Sequence, residues 1–303
     1  MRVLITGGTG FVGQHLVKHL LNDGRYDLSL LVREAYSSGE PLPATIQPYR
    51  TDLHLVYADL RSFQLTSRAL QEARPDAVIH LAARGATDPF LPLETALRHN
   101  LYGTLNLVRA CFEKGRFPIT HFLTARTPGE LSHMNTYATS KLAAWDFCTM
   151  YAQNYGWPIM GAMIYQCYGP CQSSKTLVTS AMLKALAGDD FPMTAGTQQK
   201  DWIYVSDLVA AFGAMLEVDG LPPKTVFHLG SGQPRSVVDV VRLIYEVTES
   251  TGRPLVGALP TRPGETAVQQ APLSETLSRL PNWAPHVTLE NGLKQLTQFY
   301  KSL

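Results

Sequence analysis

Tyr137 and Lys141 stand four residues apart in the run YATSK, at the head of a stretch with helical character. Four residues make one helical turn, so both side chains would project from the same face. A phenol titrates near pH 10, too high for ready proton exchange at neutral pH, and a neighbouring ammonium would stabilise its phenolate. The pair could therefore work as an acid and base, although YxxxK alone also arises as an ordinary surface contact.

Chemistry of that kind needs a partner site. Residues 6–13 read TGGTGFVG, placing Gly7, Gly10 and Gly13 at three-residue spacing between an apolar strand and an amphipathic helix. Residues without a Cβ let backbone amides and a helix N-terminus approach a diphosphate, while Gly13 allows helix and strand to pack closely. In this context the turn predicts a dinucleotide site. The second strand ends Leu31, Val32, Arg33, where an NAD-selective site would carry an acidic residue for the ribose hydroxyls. Arg33 could instead pair with a 2′-phosphate. The expectation is NADP(H), with NAD(H) as the alternative and a solvated strand-end charge as the plain reading of Arg33. Asp59 is placed either to receive an adenine amino group or to cap a helix.

The elements that must carry these residues repeat one pattern: an apolar β-branched run, a turn, then a helix. Arg2–Thr6, Leu28–Val32, His54–Tyr57, Ala77–Leu81, Ile119–Thr124 and Ile159–Tyr165 read as strands, and Tyr137–Tyr155 as a long helix. This predicts an α/β fold with a doubly wound parallel sheet of Rossmann type and a smaller C-terminal substrate-binding lobe. The dinucleotide domain is expected over 1–168, with 202–240 returning to it, and the lobe over 169–201 and 241–303.

Bulk composition narrows the function. The 303 residues are 45% hydrophobic, and 26 basic side chains nearly cancel 25 acidic ones, so no strong field favours nucleic acid or an anionic membrane. Four cysteines, Cys111, Cys148, Cys167 and Cys171, make no disulfide framework, and the CxxxC pair lacks further ligands for zinc. No metal, no membrane partner and a cytoplasmic location are expected.

Together these motifs resemble the extended short-chain dehydrogenase/reductase family, the nucleotide-sugar epimerases, dehydratases and reductases. Besides TGGTGFVG and YATSK, the resemblance rests on YADL (57–60), HLAA (80–83), HNLYGTLNL (99–107), YGP (168–170), KDWIYVSDL (200–208), HLGSG (228–232), RPGE (262–265) and VTLENGL (287–293), nearly the whole length. It implies that Phe11, Val12, Leu60, Leu81, Ala82 and Ala83 line the dinucleotide with the glycines. It further implies that Asn100 organises the active site, that Lys141 holds the nicotinamide ribose, and that Gln166, Lys200 and Arg262 face a nucleotide diphospho-sugar. Homodimerisation is implied by the same analogy.

The chain departs from the family where a third catalytic group is expected. The fifth strand reads His121, Phe122, Leu123, Thr124, Ala125, Arg126, Thr127, and Ala125 stands where the hydroxyl should be. Thr124 is the preferred substitute and Thr127 the other. The Asp-Glu pair of sugar-nucleotide 4,6-dehydratases is absent, which disfavours elimination of water. The leading expectation is a keto-sugar reductase, followed by an NAD-dependent 4-epimerase and then by a catalytically inactive nucleotide-binding homologue.

Overall fold

In the computed structural model the described residues are 1–33, 39–86, 88, 90–114, 117–260 and 266–303. In chain order the elements are β1 (Arg2–Thr6), α1 (Phe11–Asp23), β2 (Asp27–Val32), β3 (His54–Tyr57), α2 (Phe63–Ala73), β4 (Ala77–His80), α3 (Leu93–Ala96), α4 (Gly103–Phe112), β5 (His121–Arg126), α5 (Thr136–Tyr155) and β6 (Ile159–Ile164). There follow β7 (Gln166–Tyr168), α6 (Leu177–Leu186), β8 (Phe191–Met193), β9 (Gln199–Tyr204), α7 (Val205–Leu216), β10 (Val226–Leu229), β11 (Pro234–Ser236), α8 (Val237–Thr248), β12 (Pro254–Val256), β13 (Val268–Gln269), α9 (Leu273–Arg279) and α10 (Leu289–Lys301).

Seven strands form the main sheet in the order β10-β6-β5-β4-β1-β2-β3. The register among β1, β2, β3, β4, β5 and β6 is parallel throughout. This is the doubly wound α/β sheet expected from the sequence. Strand order reverses beside β1, so the glycine turn lies at the switch point where such sheets bind ligands.

Two rows across the sheet explain how the site is held. Leu4, Val78, Phe122 and Ile159 are register neighbours on β1, β4, β5 and β6, and all four are fully buried. They share one apolar cluster with Trp145 and Cys148 of α5. Two residues further along, on the same face because side chains alternate, the neighbours are Thr6, His80, Thr124 and Gly161. An apolar layer thus supports a polar layer at the C-terminal strand ends. The fifth strand also runs two residues past its predicted end, to Arg126.

The chain divides into two compact units, Met1–Met163 with Val209–Phe227, and Ile164–Leu208 with His228–Leu303. The returning segment is therefore narrower than the 202–240 read from the sequence. Residues 202–204 belong to β9, which pairs with β7, β11 and β13 in a separate sheet of the second unit. That unit has its own core, in which Met182 of α6, Val240 and Ile244 of α8, and Leu293 and Leu296 of α10 are buried. No described helix is long and apolar enough to cross a membrane.

Candidate active site

The turn after β1 is as tight as its glycines suggest. Gly7 has φ +73°, and a Cβ there would lie 2.6 Å from the Ala82 backbone N. A Cβ on Gly13 would come within 2.1 Å of the Gly7 carbonyl oxygen. Gly10 caps α1 with no side chain to accept from the first-turn amides. Those N–H groups and the positive end of α1 are left for an anion, so the turn fits a dinucleotide diphosphate. A cleft of about 350 Å³ opens beside it, bordered by Gly7, Gly10, Leu60, Leu81, Ala82 and Ala83 among others. Phe11 and Val12 lie half-buried in the first turn of α1.

Val32 and the exposed Arg33 border the same cleft, with Asp59, Arg61, Arg84 and His99. Asp59 does not cap α2, because Ser62 does. Its carboxylate accepts instead from the Arg61 backbone N at 2.9 Å and from Arg61 Nε at 2.9 and 3.0 Å, which holds it below the usual carboxylate range. Loss of water and the nearby Arg61, Arg84 and Arg33 keep His99 below the ordinary histidine value, against the opposite pull of Asp59.

From the turn a continuous chain of hydrogen bonds leads to α5. Thr104 Oγ1 donates to the Asn100 carbonyl at 2.6 Å, so it must accept from His80 Nε2 at 2.9 Å. His80 is then the Nε2–H tautomer, and its Nδ1 accepts from Thr6 Oγ1 at 2.7 Å. Full burial and the Lys141 charge lower the His80 pKa to about 3, which agrees with a neutral ring. Asn100 stands in a π-helical turn, Leu97–Tyr102, between α3 and α4. Such turns re-aim a helical side chain. Its carboxamide accepts from Arg84 N at 2.8 Å and donates to Arg84 O and to Ser140 Oγ, both at 3.0 Å. Ser140 Oγ closes the chain by donating to the Tyr137 carbonyl at 2.7 Å.

The helix carrying the tyrosine starts cleanly: the Asn135 side chain accepts from Ala138 N at 2.9 Å. Its buried stripe comprises Ala138, Lys141, Trp145, Cys148 and Ala152, so a lysine occupies a core position. Burial lowers the Lys141 pKa. The half-buried Tyr137 differs from the expectation set by its lysine. Burial first, and the Glu130 carboxylate second, push its pKa up to about 12.

Glu130 is fully buried in a short 3-10 turn, Pro128–Ser132, between β5 and α5. Arg126 Nε and Nη2 each approach Glu130 Oε2 at 2.8 Å, and Glu130 Oε1 accepts from the Thr127 backbone N at 3.0 Å. The Arg126 guanidinium also covers the Trp145 ring at 4.4 Å. Thr124 is buried on the sheet face shared with Phe122 and Arg126, towards α5.

A model of the NAD dependent epimerase/dehydratase family matches residues 3–230. The chain belongs to this family. Among curated proteins of the family it is similar to dTDP-glucose 4,6-dehydratase 1 of Escherichia coli K12, at 25% identity over all of this chain and 93% of that protein. Two solved structures share its fold. UDP-glucose 4-epimerase of Thermotoga maritima, solved with UDP-glucose, matches with a TM-score of 0.85 at 23% identity, covering 100% of this chain and 99% of that one. UDP-glucuronic acid 4-epimerase of Bacillus cereus, solved with UDP-glucuronic acid and NAD, gives 0.85 at 22% identity with the same coverage. The chain is an enzyme of this epimerase/dehydratase type, as its motifs implied.

Within this family frame, the first unit brings Tyr137, Lys141, Asn100 and Thr124 to one end of one sheet. Gln166 is exposed on β7 and Lys200 half-buried on β9 of the second unit, where Lys200 Nζ donates to Gln269 Oε1 at 3.1 Å. Arg262 lies outside the described residues. Sequence reasoning missed Arg126, Glu130 and Ser140. For Glu130 a signal existed, since Thr127-Pro128-Gly129-Glu130 has the T-x-x-E spacing of a capping box. It also missed Asp201, a fully buried carboxylate that accepts from Ser231 N and Oγ, Gly232 N and Ala271 N at 2.6–2.9 Å.

Proposed function

We propose that this enzyme reduces the keto carbon of a nucleotide-linked sugar, with Tyr137 as proton donor. The observation that carries the reading is Tyr137 with Lys141 one turn away, on a helix tied by hydrogen bonds to the glycine turn. Bound at that turn, a reduced nicotinamide dinucleotide would supply the reducing equivalent to the keto carbon. Tyr137 transfers its proton to the oxygen of that carbon. The Lys141 ammonium stabilises the phenolate left behind and lies where it can hold a ribose.

Thr124 is the second hydroxyl in this reading. It faces the α5 side of the sheet, whereas Ala125 points to the other face, and Thr127 is the residue from which the 3-10 turn starts. Elimination of water is disfavoured here, although curated relatives are named dehydratases. Residues 125 and 126 are Ala and Arg, and Glu130 spends its oxygens on Arg126 and Thr127.

NADP(H) is the preferred cofactor in this reading. Arg33 follows the last residue of β2, where Val32 offers no carboxylate, and Arg61 and Arg84 border the same cleft. Equal Kd values for NADP and NAD in the wild type, or an NADP affinity unmoved by Arg33→Ala, would refute that preference. The reaction is tested by incubating the enzyme with NADPH and a panel of nucleotide 4-keto sugars. Stoichiometric NADPH oxidation that disappears in Tyr137→Phe supports the reductase. Conversion between 4-epimers with no net cofactor consumption replaces it with the epimerase reading, which the family match also supports. No turnover of any nucleotide sugar would leave a nucleotide-binding homologue, against which the retention of both Tyr137 and Lys141 argues.

A further inference from the structure

The main sheet places two arginines on opposite sides of the glycine turn. In the order β4-β1-β2, Thr6 at the end of β1 is the register partner of His80 on one side and of Leu31 on the other. Beyond His80 the chain reaches Arg84, and beyond Leu31 it reaches Arg33. The β4 side is in contact with the turn: Ala82 N donates to Thr6 Oγ1 at 3.3 Å, and a Cβ on Gly7 would lie 2.6 Å from that same nitrogen. Arg84 is fixed there by its main chain. The carboxamide of the fully buried Asn100 accepts from Arg84 N at 2.8 Å and donates to Arg84 O at 3.0 Å, so one side chain satisfies both backbone groups. Arg84 itself is exposed and borders the cleft of about 350 Å³ that Gly7, Thr9 and Gly10 also border.

Charge in the cleft is left unbalanced. Among the described residues that border it, the arginines are Arg33, Arg61 and Arg84, and the one carboxylate is Asp59. Asp59 accepts from Arg61 Nε at 2.9 and 3.0 Å and from Arg61 Nη2 at 2.5 Å, so those two charges cancel. His99 adds none near neutral pH: loss of water first, and then the arginines, hold it below the ordinary histidine value against the pull of Asp59. Neither Arg33 nor Arg84 takes part in a described ion pair. Two uncancelled cations therefore border the cleft.

We propose that Arg84 binds the diphosphate of the dinucleotide, leaving the 2′-phosphate to Arg33. The inference deepens the cofactor reading and rests on a dinucleotide binding at the glycine turn. Ribose hydroxyls are read at the end of the second strand, which is the Arg33 side. Arg84 stands across β1 from it, close in sequence to Ala82, whose backbone touches Gly7. An arginine fork can hold two phosphate oxygens at once. Backbone amides and a helix N-terminus are the general means of holding a diphosphate at such a turn. A cation added there, on a backbone pinned by a buried carboxamide, strengthens binding of NAD and NADP alike and makes no choice between them.

The test is binding of ADP, NAD and NADP to the full chain by calorimetry, with no sugar present. ADP carries the diphosphate without a 2′-phosphate or a nicotinamide. Arg84→Ala should raise the Kd of all three by a common factor, on the order of tenfold for a charge-assisted hydrogen bond. Arg33→Ala should raise that of NADP alone. Arg84→Lys keeps the charge and loses the fork, so its values should fall between. The backbone bonds to Asn100 survive each substitution at position 84, and Arg84→Gln asks the same question should Arg84→Ala not fold. The dependence of the ADP Kd on ionic strength should also flatten in Arg84→Ala, which a merely structural residue would not cause. Kd values for ADP and NAD within about threefold of wild type in the folded variant overturn the inference. So does a loss confined to NADP, which puts Arg84 at the 2′-phosphate. Weaker ADP binding in Arg84→Ala beside unchanged NADP binding in Arg33→Ala leaves the role of Arg84 standing and removes the NADP preference. Wild-type protein that binds none of the three removes the dinucleotide reading and this inference with it.

Discussion

Replacing His80 with Gln should change how the first unit responds to acid. In the fold His80 donates through Nε2 and accepts through Nδ1, and its pKa falls to about 3 from an ordinary 6.5. A base with a depressed folded-state pKa is a liability at low pH: the unfolded chain takes up a proton that the fold refuses. Stability is therefore lost as pH falls from about 6.5 toward about 3, at about 1.4 kcal/mol per pH unit. At pH 5 the loss is about 2 kcal/mol relative to neutral pH. Gln offers an N–H for Thr104 and an oxygen for Thr6 but has nothing to titrate. Hydrogen exchange at the β4 amides, corrected for intrinsic rates, reports the opening of this sheet. The substitution should lower protection at pH 7.5, yet its further loss between pH 7.5 and 5 should be smaller than that of the wild type by about 2 kcal/mol. Equal losses would refute the assignment of His80 as a buried neutral link.

Three further outcomes are expected. Tyr137→Phe and Lys141→Met should each cut kcat of the reaction by about 10²–10⁴-fold while leaving thermal unfolding close to wild type, since Tyr137 gives its carbonyl rather than its hydroxyl to the network. Gly13→Ala should abolish detectable dinucleotide binding in calorimetry and cost about 1–3 kcal/mol of stability, because its Cβ would overlap the Gly7 carbonyl. Asp201→Asn should destabilise the second unit by about 2–4 kcal/mol in urea denaturation, since an amide nitrogen cannot accept from the amides that now share two carboxylate oxygens.

The fold was legible because its signals are local and repeated. β1, β3 and β10 begin and end where their apolar runs do, and the glycine turn after β1 fixes the switch point. Tyr137 and Lys141 were legible because their four-residue spacing has a geometric reason, whereas Asn100 came from the family resemblance alone. What escaped is non-local. The Arg126–Glu130 pair joins residues four apart across the end of a strand, where no helical or strand period predicts a contact. The raised pKa of Tyr137 depends first on burial and then on that carboxylate, neither of which the i,i+4 lysine reveals. Asp201 gathers backbone amides from segments 30 and 70 residues away. Spacing rules see one element at a time, whereas desolvation and long-range hydrogen bonds are set by what the other elements bring.

Ala125 illustrates how register decides what a motif comparison leaves open. A strand offers its residues alternately to two faces, so moving a hydroxyl by one position removes it from the site and moving it by two restores it. Counting from Phe122, which packs with Trp145 and Cys148, the α5 face receives Thr124 and then Arg126. That face therefore carries one hydroxyl followed by a cation, and the cation pairs with Glu130 in the core. The same parity that makes Thr124 the available hydroxyl puts an arginine at the next inward position, and its buried counter-ion adds to the larger effect of burial in raising the tyrosine pKa. The departure at position 125 and the buried Arg126–Glu130 pair are thus consequences of one strand register.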